Sequence, residues 1–274
     1  DYEQIIGEDG TIYDTIQEKE VTVGFLVKSI KDAEDVRETA QMLKVPACET
    51  GPAEAGNACP EVIPAVAEWQ GGTGSFAPSG ALHVVVEEGS TLQDEAELFA
   101  DRYRVITKCE VEITSGSLKD VEAGDIYLGY TEKPEGLGSE GYICDISDKC
   151  VITAEADRGI RWGTVTLLQI LEREGSLPGG KIRDYPRYEV RGFGIDVARK
   201  AVSMDTLYAM METMSYYKMN DLTIHLNDNE ILSTSGLADS VERAMTADSA
   251  FRLESDVTNE SGQKLTSSEY AYTK

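Results

Sequence analysis

The side chains best suited to chemistry gather around two short apolar runs in the last third of the chain. Leu222, Ile224 and Leu226 alternate with Thr223 and His225 and lead straight into Asn227, Asp228, Asn229 and Glu230. Such alternation marks a strand with one apolar face. Carboxylates and amides at the carboxyl end of a parallel strand stand where α/β folds bind ligands, and there they accept hydrogen bonds from hydroxyl-rich molecules. A solvated strand exit with a capping Asp fits the same residues. His225 falls on the polar side of the run, and as a single histidine it suits a buried, hydrogen-bonded structural role better than a catalytic one. Arg191 and Arg199 bracket the earlier run, with Asp196 between them. A guanidinium at a strand end holds a vicinal diol, or closes on a carboxylate. Strand geometry favours Asp196 over Arg191 for the ligand-facing rim.

These residues need a β-α-β frame. Phe193, Ile195 and Val197 share one side of a strand, with Gly192 and Gly194 opposite. Ser203 caps a helix whose Leu207, Met210, Met211 and Met214 share a face, and Asn220 is placed to end it. A parallel pair of strands is not a stable sheet by itself, so more chain is expected to follow. Residues 227–274 are polar and aperiodic, as a functional loop or a cut end would be.

Ahead of this frame lies a different pattern. Residues 1–46 include an alternating run, Val21, Val23, Phe25 and Val27, and are expected to be the β-rich tail of an upstream module. Residues 47–180 mix strands and two helices. The strands are placed at 81–87, 110–114, 125–130, 142–146 and 151–154. One helix opens at a Ser90-x-x-Gln93 capping box and the other at an Asp157 cap. This is an α+β layer with both helices on one face of the sheet. The Gly- and Pro-rich stretches at 46–60 and 71–80 read as loops, and Pro178, Gly179, Gly180 and Pro186 as a linker.

Composition excludes several classes. The 274 residues carry 50 Asp and Glu against 25 Lys and Arg, a net charge of −25, which disfavours nucleic acid and anionic membrane as partners. No apolar run is long enough to insert into a bilayer. Five cysteines without C-x-x-C spacing and two histidines imply no zinc site, and no cofactor motif is present. Cys144 and Cys150 flank an expected hairpin turn, with a disulfide between them left open.

The segment VRGFGIDVARKAVSMDTLYAMMETMSYYKMNDLTIHLNDN resembles the opening of the catalytic barrel of glycoside hydrolase family 20, in its R-G-x-x-x-D-x-x-R strand, K-x-N corner and H-L-x-D-[DN] strand end. Upstream, GYICDISDKCVITAEADRGIRWGTVTLLQIL resembles the end of that family's small α+β domain, and FRLESDV and LTSSEYAYTK resemble the stretch after the second barrel strand in lacto-N-biosidase-like members. The likeness covers roughly residues 60–274. It implies a small α+β domain followed by the first β-α-β of a TIM (β/α)8 barrel, residues 188–274, behind a short β-rich amino-terminal segment. The implied activity is retaining, substrate-assisted removal of β-linked N-acetylhexosamine or lacto-N-biose from glycans, at an extracellular or cell-surface location. The implied substrate-binding residues are Arg191, for the C3 and C4 hydroxyls, with Asp228 and Asn229, supported by Asp196, Arg199, His225, Arg252 and Glu254. In that family an Asp-Glu pair inside an H-x-G-G-D-E-like motif does the chemistry. No such motif occurs here, and Asp94-Glu95 reads as a solvated helix face. The chain alone is therefore expected to be inactive. Its partners would be the glycan and either the remainder of its polypeptide or a complementing chain. The rival expectation is a non-catalytic interaction module.

Overall fold

The computed structural model describes residues 4–28, 36–47, 56–78, 80–132, 135–229, 249–258, 260, 262, 264–267 and 270–273. The chain divides into two compact units, Asp1–Arg187 and Tyr188–Lys274.

The first unit begins with an antiparallel hairpin of β1 (Lys19–Lys28) and β2 (Val36–Val45), in register from Lys19 opposite Val45 to Lys28 opposite Val36. There follow β3 (Glu68–Phe76), β4 (Leu82–Glu87), α1 (Gln93–Thr107), β5 (Val111–Gly116) and β6 (Asp125–Tyr130). The unit closes with β7 (Tyr142–Ile146), β8 (Cys150–Ala154), α2 (Asp157–Glu174) and β9 (Leu177–Asp184). Seven strands form one mixed sheet in the order β3-β9-β7-β8-β6-β4-β5. Strands β4, β5, β6 and β8 run parallel, and β7, β9 and β3 alternate in direction beside them.

Strand periodicity explains which face is covered. Leu82, Val84, Val86, Ile126, Leu128 and Ile152 point to one side, where they pack against Ala96, Phe99, Ala100 and Tyr103 of α1 and Ile160 and Leu167 of α2. The α1 set is spaced i, i+3, i+4, i+7, the stripe of an amphipathic helix. Helix α2 is buried nearly all round, from Gly159 to Ile170. Its approach depends on two glycines: a Cβ on Gly159 would lie 2.2 Å from the Gly141 carbonyl oxygen, and one on Gly163 would lie 2.7 Å from Ile152 Cγ2. No helix among the described residues is long and apolar enough to cross a membrane.

Several local expectations are overturned. The stretch expected as a linker is β9, paired on both sides, and GGTGSF lies in β3, with a register shift between Gly71 and Ser75. The glycines there permit contact rather than mark a loop: a Cβ on Gly180 would lie 2.3 Å from Trp69 Cη2. Neither helix starts as expected. Leu92 and Ala156 occupy the cap positions without side-chain caps. The Ser90 hydroxyl donates instead to the Glu87 carbonyl, and the Asp157 carboxylate accepts from Thr91 and Tyr130. Cys144 and Cys150 are buried free thiols with Sγ atoms 3.6 Å apart. The contact with Cys150, together with burial, pushes the Cys144 thiol up.

A buried ion pair ties the amino-terminal segment to the sheet. Arg183 of β9 donates to Glu68 of β3 at 2.8 Å, with both side chains fully buried. Glu68 also accepts from the backbone N–H groups of Ile16 and Gln17, and Arg183 donates to the carbonyls of Gln4 and Glu135.

The second unit holds β10 (Gly192–Asp196), α3 (Met204–Tyr216) and β11 (Asp221–His225), then β12 (Asn227–Asn229) and β13 (Ser249–Phe251). Strands β10 and β11 are parallel, as a β-α-β unit requires. The Ser203 hydroxyl accepts from Thr206 N–H at 3.2 Å and starts α3 as expected. The helix stops at Tyr216, and Lys218 takes a left-handed φ of 55°. Asn220 does not end the helix; its side chain accepts from Arg191 N–H and donates to the Glu189 carbonyl. A small core of Val197, Leu207 and Tyr272, with Ile195, Met210 and Ile224 against it, holds the unit together.

Candidate functional site

The polar residues of the second unit converge at the carboxyl ends of β10 and β11. Register sets Asp196 beside His225, the last residue of each strand. The chain then turns, and both Val197 N–H and Ala198 N–H donate to the His225 carbonyl at 3.1 Å. Asp196 Oδ1 accepts from Ala198 N–H and Arg199 N–H, each at 3.0 Å, while Oδ2 takes Arg199 Nη1 at 2.6 Å. This folds Arg199 back over the strand ends. Its Nη2 reaches Asp228 Oδ2 at 2.5 Å, and His225 Nε2 meets the same oxygen at 3.0 Å. Asp228 is steadied by the antiparallel pairing of β12 with β13, opposite Ala250.

One guanidinium therefore lies between two carboxylates, with an imidazole on the second. The Arg199 side chain is 44 % exposed, so it presents N–H groups to solvent while its plane is fixed by two anions. The Arg199 backbone N–H, with its guanidinium in support, holds the Asp196 carboxyl below the usual carboxylate range, and Asp196 in turn raises the Arg199 guanidinium. The folded-state value of Asp196 is depressed, so its contribution to the turn is present above the ordinary carboxylate pKa and is lost as pH falls through the depressed value. A carbon-detected titration should place the Asp196 midpoint below that of an ordinary aspartate, and Arg199→Met, which removes the guanidinium but keeps the backbone N–H, should move it part of the way upward. An unshifted midpoint in the wild type would contradict the geometry.

The frame of this turn comes from a fully buried arginine. Arg252 donates from Nε to the Val197 carbonyl and from Nη2 to the Ala198 carbonyl, both at 3.0 Å. Its Nη1 donates to Ser267 Oγ at 2.8 Å and to the Tyr270 carbonyl at 3.2 Å. Its backbone N–H donates to Leu226, and its carbonyl accepts from Tyr272 N–H. The Tyr272 hydroxyl donates to the Val202 carbonyl at 2.7 Å.

The structure thus brings together Asp196, Arg199, His225 and Asp228, with Arg252 behind them. It does not bring Arg191 to this site. Arg191 precedes β10, at the amino end, where Gly192 pairs with Asp221. Its Nε donates to the Lys218 carbonyl and Nη1 to the Tyr188 carbonyl, so it fastens the strand-helix corner at the end of the strand remote from the polar rim. The expectation of a buried His225 is also corrected: its side chain is 51 % exposed. Glu254 is exposed, and its backbone N–H donates to Tyr272. The backbone of Asn229 pairs with Ser249, whereas Glu230 lies outside the described residues. Ser267, Tyr270 and Tyr272 lie in the LTSSEYAYTK segment, and no pattern singles them out there because irregular backbone carries no hydrophobic period.

Two other groupings in the first unit do not compete. His83 bridges Thr114 Oγ1 at 2.7 Å and Asp125 Oδ2 at 3.2 Å, in the hydroxyl-imidazole-carboxylate order of a nucleophilic triad. They sit on the neighbouring parallel strands β4, β5 and β6 of the sheet, in the other compact unit from the strand-end rim. Glu95 is not on a solvated face: it pairs with Arg161 at 3.4 Å, and burial pushes its carboxyl up. Among the described residues no three His, Cys, Asp or Glu side chains form a metal cluster.

Comparison with known proteins gives a consistent picture. Residues 59–185 match the model of glycosyl hydrolase family 20, domain 2, and residues 188–271 match that of the glycosyl hydrolase family 20 catalytic domain. The chain is 36 % identical over 162 residues to a beta-N-acetylhexosaminidase of Cellulomonas fimi, covering 57 % of this chain and 32 % of that protein. It is 26 % identical over 172 residues to a lacto-N-biosidase of Bifidobacterium bifidum, covering 61 % and 15 %. Among solved structures, the N-acetyl-beta-hexosaminidase of Streptomyces plicatus superposes with a TM-score of 0.56 at 27 % identity, covering 65 % of this chain and 36 % of that one. The chain spans about a third or less of the length of these curated relatives.

Proposed function

Because the chain belongs to glycosyl hydrolase family 20, we propose that it is the front part of a glycosidase that removes terminal β-linked N-acetylhexosamine, or lacto-N-biose, from glycans outside the cell or at its surface. The observation that carries this reading is Arg199, clamped between Asp196 and Asp228 at the carboxyl ends of two parallel strands. That end is where (β/α)8 barrels bind substrate, and a planar donor held by two anions suits a pair of neighbouring sugar hydroxyls. The hydroxyl-binding role expected of Arg191 passes to Arg199 on this geometry. Asp228 and His225 complete the rim, and Asp228 has the acceptor capacity to share a hydroxyl with Arg199.

The reaction proceeds with retention. The acetamido oxygen of the substrate attacks C1 while a Glu gives its proton to the leaving oxygen, and a neighbouring Asp stabilises the oxazolinium that forms. Water then opens that ring and returns the proton. The Asp-Glu pair is supplied by further barrel strands, because the 274 residues hold no H-x-G-G-D-E-like segment and Glu95 is engaged in α1. A complementing chain is the second source of those strands. It is favoured by the surface that β10 leaves uncovered, where Phe193 is 45 % exposed, and by the marginal stability of two strands alone.

A chromogenic β-N-acetylglucosaminide tests the proposal. The polypeptide extended through an Asp-Glu strand end should release the aglycone and the 274-residue chain should not. Release by the shorter chain would overturn the need for added strands. Silence from both would favour a non-catalytic module.

A further inference from the structure

Arg252 lies at some remove from the solvent-facing rim, yet its contacts fall on the two peptide groups that decide where Arg199 points. In the Val197–Ala198 peptide, the carbonyl accepts from Arg252 Nε, and the N–H donates to the His225 carbonyl and to Asp196 Oδ1. In the Ala198–Arg199 peptide, the carbonyl accepts from Arg252 Nη2 and the N–H donates to Asp196 Oδ1. Both peptides are therefore held on both sides, by β10, by the end of β11 and by the segment after β13. From these contacts we infer that Arg252 is a positioning residue: its guanidinium fixes the Asp196-to-Arg199 turn, and through it the direction in which Arg199 presents its donors to a sugar.

The inference rests on the proposed glycan-binding role of Arg199, but the turn itself is measurable without any sugar. A buried guanidinium is tolerated only when its donors are satisfied, and here at least two are spent on the turn's carbonyls. The Nη1 contacts fasten Ser267 and Tyr270 to the same turn. A lysine ammonium is a point donor and does not reproduce a planar fork, so Arg252→Lys should restore the turn only in part.

The test uses 15N side-chain resonances of arginine in the 274-residue chain. The Arg199 Nε–Hε signal is assigned by its loss in Arg199→Lys. In the wild type it should be dispersed, and the Nη–H groups that meet Asp196 and Asp228 should be slow to exchange. In Arg252→Met the Nε–Hε signal should move to the position of a solvated arginine, and those Nη–H groups should exchange on the order of tenfold faster or more, as expected when a charge-assisted contact is lost. Tyr272→Phe removes a stabilising hydroxyl contact in the same unit without touching the turn, so it should lower the melting temperature and leave the Arg199 signal in place. In the extended polypeptide the same Arg252→Met should raise KM with little change in kcat, the signature of lost ground-state binding. A folded Arg252→Met whose Arg199 signal is unmoved, or a Tyr272→Phe signal that moves as far, overturns the inference. If Arg252→Met does not fold, Arg252→Lys is read in the same way. Failure of the glycosidase assay alone would bear on the proposed function and leave the resonance result standing.

Discussion

Arg183→Met should lower the stability of the first unit by about 3–5 kcal/mol, the usual effect of stripping one partner from a fully buried ion pair. Glu68 would remain in the interior with the N–H groups of Ile16 and Gln17 and, at 4.0 Å, the Lys19 ammonium as its described partners, and the Gln4 and Glu135 carbonyls would lose a donor. For a unit of this size the melting temperature should fall by on the order of 10 °C, and residues 4–17 should exchange their amide hydrogens faster than the β6 core. Pairing the change with Glu68→Gln should recover much of the loss, because a neutral amide is far less costly to bury than a carboxylate. A single mutant within about 1 kcal/mol of wild type, the median worth of an exposed pair, would mean that water reaches the site and that the segment is held by other contacts.

The second large effect is expected at the strand ends. Hydrogen bonds to a charged group contribute about 1.5–3 kcal/mol each, so Arg199→Ala in the extended polypeptide should raise KM for a β-N-acetylglucosaminide roughly 10- to 150-fold. Arg191→Ala should leave KM unchanged while loosening the corner built by Asn220 and Lys218. Steady-state kinetics of the two variants separates the roles. A KM effect at Arg191 with none at Arg199 would reverse the assignment.

Much of this architecture was legible because its signals are local. Strands β6 and β7 lie at the expected residues, 125–130 and 142–146, since their alternation is bounded by turn residues. Strands β3 and β9 look like loop and linker in the sequence because Gly71, Gly179 and Gly180 resemble loop punctuation. What makes them strand residues is a tertiary fact, the close approach of Trp69 and of the β3 backbone. The helix caps differ from the sequence expectation for a related reason: Asp157 and Ser90 carry the right chemistry, but Tyr130, Thr91 and Glu87 claim their side chains. Asp196, Arg199, His225 and Asp228 stand out in the sequence as polar residues at the ends of two apolar runs, and the structure brings these four together. Chain order by itself puts Arg191 at the amino end of β10 and Arg199 beyond its carboxyl end; the expectation that Arg191 binds the hydroxyls comes from the resemblance and runs against that strand geometry.

The most direct measurement is a crystal structure of the extended polypeptide with N-acetylglucosamine bound. The geometry predicts sugar hydroxyls within hydrogen-bond reach of Arg199 at the carboxyl ends of β10 and β11, with Arg252 still holding the Val197 and Ala198 carbonyls. A sugar seated instead at the Arg191 end of β10, or on the sheet of the first unit, would contradict it.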